Sequence, residues 1–438
     1  MSKKSTVPYV CSECFYQSGK WLGKCPDCNG WNTFSSDTID NTKDQMIFKI
    51  NEITTKSMPR IQSGIKEWDR VMGGGLVPGE FVIITGDPGI GKSTLLLQIA
   101  HKISENHQAI YFSSEESLEQ IKIRAQRLSC TNEKLFFSDQ ADISVIIKLA
   151  EKHKPELLII DSVQNCYMQN SDFSHASQSQ LKEIAFKLMR LAKEKSITII
   201  SSGHITKDGV MAGPKTLEHI VDAVFYLQAE DRFQTRILRS VKNRFGTVDE
   251  LGFFQMGESG LDEIANINKY FMQDLNPNPG SALVGFIEGT RPILVELQAL
   301  VLASKFAIPQ KVISGIDQTQ VVLIAAILEK HLQIKLSLHD IFFKISGGIK
   351  IKGSSSDLAI ALALLSSYFQ RPLPEKSLAL GEINLAGQIK PVNYINIFVN
   401  EAEKFGIQNL ILSTNQKVEA TCKITKFKSI YDLLMLFE

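Results

Sequence analysis

From Ile61 onward the chain alternates short, nearly unbroken apolar runs with longer stretches in which apolar residues recur at helical spacing. The runs are FVIIT (81–85), AIYFS (109–113), LLIID (157–161), ITIIS (197–201) and AVFYL (223–227). A strand that is apolar on both faces has to be covered on both, so the pattern predicts a mostly parallel sheet between helices, an α/β domain. Two other textures flank it. Residues 1–34 are cysteine-rich and poor in apolar runs, and the polar SSDTIDNTKDQ (Ser35–Gln45) buries too little to be anything but a linker. NKYFMQDLNPNPGS (Asn268–Ser281) carries two prolines, a glycine and three asparagines between patterned regions, which marks a boundary. Beyond it, TQVVLIAAILEKH and SDLAIALALLSSYF are strongly apolar helices among shorter strand candidates, a second, α+β domain. The organisation expected is therefore 1–34, a linker over 35–57, an α/β core over 58–270 and an α+β domain over 271–438. No short-period repeat is present, which argues against a solenoid.

Composition changes this picture little. A chain of 438 residues is too long for one ordinary core. The net charge of +1 provides no basic tail, so nucleic-acid binding would rest on local cationic patches or on several subunits adding their fields. MSKKSTVPYV lacks the apolar stretch of a secretory signal, and no run of about 20 apolar residues offers a membrane span, so a cytoplasmic protein is expected. Cys130, Cys166 and Cys422 are scattered singly and read as small buried hydrophobes.

The other four cysteines carry chemistry. Cys11, Cys14, Cys25 and Cys28 form two C-x2-C knuckles ten residues apart, the spacing that sets four thiolates around Zn²⁺. A head this small cannot bury a core of its own, so metal ligation would supply most of its folding free energy. The alternative, a redox pair, would need a βαβ setting that this segment lacks. Trp21 and Trp31 flank the second knuckle and are expected to pack its small core.

GDPGIGKST, with Gly86, Asp87, Pro88, Gly89, Ile90, Gly91, Lys92, Ser93 and Thr94, fits G-x-x-x-x-G-K-[ST] between a strand and the helical LLLQIAHKI. The glycines let backbone N–H groups close on phosphate oxygens of ATP, Lys92 reaches the β/γ-phosphates, and Ser93 is placed for Mg²⁺. Asp161, ending LLIID, is presented as a second Mg²⁺ partner. Glu115 and Glu116 end the intervening strand. Glu115 is favoured as the carboxylate that polarises the attacking water, and Glu116 as a cap on the following helix. Two long polar loops follow the strands ending at Asp161 and near Ser202, where a doubly wound sheet keeps its ligands. His204 reads equally as a γ-phosphate reporter or as a structural histidine. Lys207 and Lys215 are candidate nucleic-acid contacts, or solvated lysines.

The zinc knuckles, the P-loop core, KNRFG (242–246) and the α+β second half together resemble the bacterial RadA/Sms recombination proteins over nearly the whole chain. The resemblance implies a zinc ribbon, a RecA-like ATPase and a Lon-protease-like domain. It also implies a hexameric ring that binds single-stranded and branched DNA, works beside a RecA-type recombinase, and extends recombination intermediates by branch migration. It sets Ser355 at the protease serine position and Asn396 at that of the lysine, so the domain is expected to be a scaffold without peptidase activity. A peptidase and a nucleotide-switched regulatory ATPase are the competing readings. In a ring, the edge bearing SVKNRFG would face the neighbour's nucleotide, so Lys242 or Arg244 is expected to act in trans, with Asn243 holding the turn and Gly246 letting the chain bend away.

Overall fold

The computed structural model describes residues 9–11, 16–35, 59–169, 177–204, 217–230, 235–272, 277–345, 350–351 and 353–438. They divide into two compact units, Met1–Met58 and Pro59–Glu438.

In the first unit, β1 (Tyr9–Cys11) pairs antiparallel with β2 (Gln17–Ser18) and β3 (Phe34–Ser35). The core is Cys11, Cys25 and Phe34, with Tyr9 and Leu22 packed against them. The two tryptophans do not pack this core. Trp21 is 51% and Trp31 70% exposed, because sulfur atoms and one phenyl ring already fill the small interior. Each finds a peripheral role: the Trp21 indole donates to Phe34 O at 3.2 Å, and the Lys24 ammonium lies 5.7 Å from the Trp31 ring centroid.

The second unit begins with α1 (Lys66–Val71), β4 (Phe81–Gly86), α2 (Lys92–Ser104), β5 (Ala109–Ser113), α3 (Leu118–Arg127), β6 (Leu135–Ser138), α4 (Ile143–His153) and β7 (Leu157–Asp161). It continues through α5 (Gln178–Lys195), β8 (Thr198–His204), β9 (Ala223–Glu230), β10 (Thr235–Asn243), β11 (Leu251–Gly257) and β12 (Gly260–Glu263). The nine strands form one sheet in the order β12-β11-β10-β9-β4-β8-β7-β5-β6. The six from β9 to β6 are parallel, and β10, β11 and β12 add an antiparallel meander at one side. All five expected strands are present. Alternation along them explains the double cover: Val82 and Ile84 pack with α2 residues such as Leu96 and Ala100, whereas Phe81 and Ile83 pack with Ile146 of α4 and Leu188 of α5.

A second, mixed sheet follows. It contains β13 (Ser281–Glu288), β14 (Arg291–Ala303), β15 (Lys311–Ser314), β16 (His339–Ile345) and β17 (Ser377–Leu380). After a hairpin, β18 (Glu382–Ile383) and β19 (Ile389–Lys390), it is completed by β20 (Asn409–Ser413) and β21 (Lys423–Phe427). The order is β15-β16-β14-β13-β17-β20-β21. The two apolar segments are the helices Gln318–Leu332 and Asp357–Phe369, the second buried from Asp357 to Ser367. Ile237, Leu251 and Phe253 of the first sheet belong to the same apolar cluster as the core of the second. Above that contact, Arg291 of β14 grips the buried Glu67 of α1 with two hydrogen bonds of 2.8 and 2.9 Å.

Candidate active site

The turn from β4 into α2 is shaped by its glycines. A Cβ on Gly86 would lie 2.2 Å from Leu227 O of the adjacent strand, so only glycine lets the chain leave the sheet there. Gly91, at φ 112°, is the N-cap of α2, and a side chain on it would meet Met256 Cε at 2.7 Å. Asp87, Pro88 and Gly89 are exposed at the tip, and Ile90 is tucked into the core. Ser93 and Thr94 follow in the first turn of α2, half-buried. The Lys92 ammonium donates to Gly86 O at 2.8 Å and Asp87 O at 3.0 Å, closing the loop on itself. Burial lowers its pKa, and the carboxylates of Asp161, Glu115 and Asp87 oppose that shift. Arg236 of β10, unremarked in the sequence, donates to Ile90 O at 3.0 Å and steadies the loop from across the sheet.

Asp161 ends β7 buried. It accepts from the Tyr111 hydroxyl at 2.6 Å and from the Ser202 hydroxyl, so both oxygens are oriented by neighbouring strands. Burial and the Asp161 charge push the Tyr111 phenol well above its ordinary range, so it stays a donor. Glu115 lies past the end of β5 and accepts from Ser162 Oγ at 2.7 Å and Asn165 Nδ2 at 3.0 Å. Glu116 does not cap α3. That helix is capped by Ser117 in a reciprocal pair with Gln120, and Glu116 forms an ion pair with Arg124. His204, the last residue of β8, is the register partner of Gly86. Lys92, Glu115 and Asp161 thus converge at the carboxyl edge of the parallel strands, the position for nucleotide in a doubly wound sheet. Lys207 and Lys215 lie outside the described residues.

KNRFG occupies the other end of the same sheet. Asn243 pairs with Ala223, which pairs with Val82 near the start of β4, four residues before Gly86. At about 3.3 Å per residue this is roughly 13 Å along the strand, with β9 intervening as well. Lys242 Nζ donates to the carbonyls of Glu218 and Val221 (2.8 Å for Val221), while Arg244 is 54% exposed beside the buried Asp222. Asn243 Oδ1 accepts from Phe245 N at 2.9 Å and holds the turn. Gly246 runs against Gly73, and a Cβ on it would strike the Asn243 amide at 2.8 Å and Gly73 Cα at 3.2 Å.

In the first unit, the sulfur atoms of Cys11, Cys25 and Cys28 lie within 4.8 Å of one another, Cys11 and Cys28 at 3.6 Å. Cys14 lies outside the described residues. Three convergent sulfurs on knuckle turns, closed by Cys11 N to Tyr16 O (3.0 Å) and Cys25 N to Gly30 O (2.8 Å), fit a tetrahedral zinc site.

Three family models match: an AAA domain over residues 51–210, a rubredoxin metal binding domain over 9–36, and the subunit ChlI of Mg-chelatase over 307–416. Whole-chain relatives go further. The DNA repair protein RadA of Listeria monocytogenes is 39% identical over 97% of this chain and 95% of its own length. That of Haemophilus influenzae is 38% identical over the full length of both, and that of Aquifex aeolicus 36% over 95% of each. The chain belongs to the RadA family of DNA repair proteins. Its nine-stranded sheet is the RecA-like ATPase core of a RadA chain, and its second sheet the Lon-protease-like half. In that half, Ser355 lines a cleft with Ser354, Glu382, Asn393 and Tyr394. No lysine is among its described lining residues, and Asn396 is exposed on the helix Ile395–Lys404.

Proposed function

We propose that the chain is a DNA-stimulated ATPase that assembles as a ring, the arrangement suited to using one subunit's cation at the next subunit's phosphates, and that it drives branch migration of recombination intermediates. The observation that carries this reading is the placement of two cationic sites at opposite ends of one sheet. Lys92 sits at the phosphate edge of its own chain, whereas Lys242 and Arg244 stand too far away to reach the same nucleotide. Cations set out in this way suit a head-to-tail assembly, where hydrolysis waits for a neighbour. Lys242 is engaged by two carbonyls, and Arg244 is the exposed cation of the pair.

In this reading Gly86 to Thr94 cradle the phosphates of ATP. Ser93 and Asp161 would hold Mg²⁺, which neutralises charge on the β- and γ-phosphates. Lys92 exchanges its carbonyl partners for phosphate oxygen. Glu115, held by Ser162 and Asn165, orients the attacking water and takes up its proton. Cys11, Cys14, Cys25 and Cys28 would hold one zinc ion. Single-stranded and branched DNA are the substrates, with a RecA-type recombinase as partner, and the Lon-like half is a scaffold. The absence of a lysine among the described residues of the cleft supports the last point, since the serine–lysine pair of a Lon-type protease is not assembled around Ser355 there.

The test is ATP turnover with and without single- or double-stranded DNA. Lys92→Ala should lose turnover and most nucleotide affinity. Glu115→Gln should bind ATP and not hydrolyse it, and wild-type turnover by this variant would remove Glu115 from the role. Subunits carrying Arg244→Ala or Lys242→Ala, mixed with Lys92→Ala subunits, should recover part of the activity each lacks. Absence of recovery in demonstrably mixed rings would overturn action in trans.

A further inference from the structure

The cationic turn rests on one carboxylate that nothing in the sequence pattern marks. Asp222 precedes β9 and is 2% exposed. Its Oδ2 accepts the backbone N–H of Phe81, the first residue of β4, at 3.0 Å and the Lys193 ammonium of α5 at 2.7 Å. Its Oδ1 faces Arg244 Nη1 at 3.5 Å. The backbone repeats the linkage, with Asp222 N donating to Phe81 O (2.9 Å) and Arg244 N to Asp222 O (3.1 Å). One buried side chain therefore joins the root of the P-loop strand, the end of a covering helix and the exposed arginine.

The surroundings narrow what this carboxylate does. Lys193 also lies 5.5 Å from the centroid of the Phe245 ring, and Arg60 donates to Phe245 O at 2.5 Å and to the carbonyls of Met72 and Gly75. The turn backbone is thus fastened by several groups, and the N–H of Phe81 needs only an acceptor. The negative charge of Asp222 serves two cations, Lys193 at 2.7 Å on one oxygen and Arg244 at 3.5 Å on the other. Arg244 and Lys242 repel each other, and Asp222 is the buried anion that draws the guanidinium to one place on the edge.

We propose that Asp222 is a positioning residue for ATP hydrolysis: it fixes Arg244 on the subunit edge and ties that edge to the root of the P-loop strand in the same chain. This rests on the trans-acting reading of KNRFG. Through Asp222, the cation offered to a neighbour's nucleotide is held by the strand that carries the chain's own phosphate loop. Asp222 stands beside Phe81 at the start of β4, the end of the strand away from the phosphate loop, so it acts on turnover and leaves binding alone.

Asp222→Asn keeps an acceptor for Phe81 N and removes the charge. Loss of a charge-assisted contact of this kind should lower DNA-stimulated kcat about tenfold, with KM for ATP changed less than about twofold. In an Arg244→Ala background the same substitution should lower kcat no further, because its effect passes through the arginine. Mixed with Lys92→Ala subunits, Asp222→Asn subunits should recover activity as a cation-defective partner. Should Asp222→Asn not fold, Asp222→Glu, which keeps the charge and displaces it by one methylene, takes its place in the same cycle with a smaller loss. Unchanged kcat, a loss confined to KM, or additive losses in the double variant would overturn the proposal while leaving the trans reading intact. If neither Arg244→Ala nor Lys242→Ala complements Lys92→Ala, the trans reading fails and this inference falls with it.

Discussion

Glu80 stands one residue before β4, 1% exposed, with its Oε1 among the buried atoms that lack a hydrogen bond. Burial pushes its carboxyl up from 4.5 to about 8; a backbone hydrogen bond at Val77 opposes this, Asp222 adds to it, and Arg60 and Lys193 pull it back. An acid whose pKa is higher in the folded chain keeps its proton there while the unfolded chain releases it. Its contribution to stability therefore falls as pH rises from about 4.5, and levels off above about 8. The full span amounts to a few kcal/mol, about 5 at most. Glu80→Gln should remove this slope, and the variant should gain on the parent between pH 5 and pH 8 in thermal melts. A difference independent of pH would refute the assignment. Residues of this kind explain what a sequence hides. Lys92, Ser93 and Asp161 are legible because their motif fixes local spacing. Asp222 and Arg236 act on partners 141 and 146 positions away, and no local pattern signals such contacts.

Among elements, the same contrast holds between the strands. FVIIT and its counterparts are legible because both faces are buried, which concentrates apolar residues into one run. The strand Thr235–Asn243 is partly exposed along its length and reads as an indistinct mixture, so the antiparallel side of the sheet did not follow from the pattern. The cysteine head is legible for a third reason, since ligand spacing is local even where packing is not. Its packing was not legible: the expectation that Trp21 and Trp31 fill the interior ignored how little volume remains beside clustered sulfurs. The small core makes a prediction of its own. Cys25 is fully buried and supplies one of the three described sulfurs, so Cys25→Ser should abolish zinc binding and leave the head open to protease. Elemental analysis should find about one zinc per parent chain and almost none in the variant. Equal zinc in both would remove Cys25 from the site.

For the Pro59–Glu438 unit as a whole, the decisive feature is that its two sheets share apolar packing. Ile237, Leu251 and Phe253 lie in one cluster with Val284, Val295 and Leu358 of the second half, so truncation after the first sheet would bare them. Polar contacts reinforce the join: Arg239 pairs with Glu288, and Arg291 with Glu67. The second pair matters more, because Glu67 is 2% exposed and Arg291 only 12%. Glu67 also accepts Phe253 N at 3.1 Å, and the Arg291 guanidinium lies 5.7 Å from the centroid of the Phe253 ring, so the pair sits over the shared cluster. Removing this cation would leave the buried carboxylate with one backbone donor and only a loose ion pair, 3.9 Å, to Arg70. Arg291→Met should therefore destabilise the chain by about 3–5 kcal/mol, whereas Arg291→Met with Glu67→Gln should recover most of that loss, because the second change removes the stranded charge. Denaturant unfolding followed by nucleotide binding and by far-ultraviolet circular dichroism measures both. If the two halves unfold as one, the single variant shifts both signals together. A shift in only one signal would mean that the two sheets fold independently and that the Glu67–Arg291 pair joins them without coupling them.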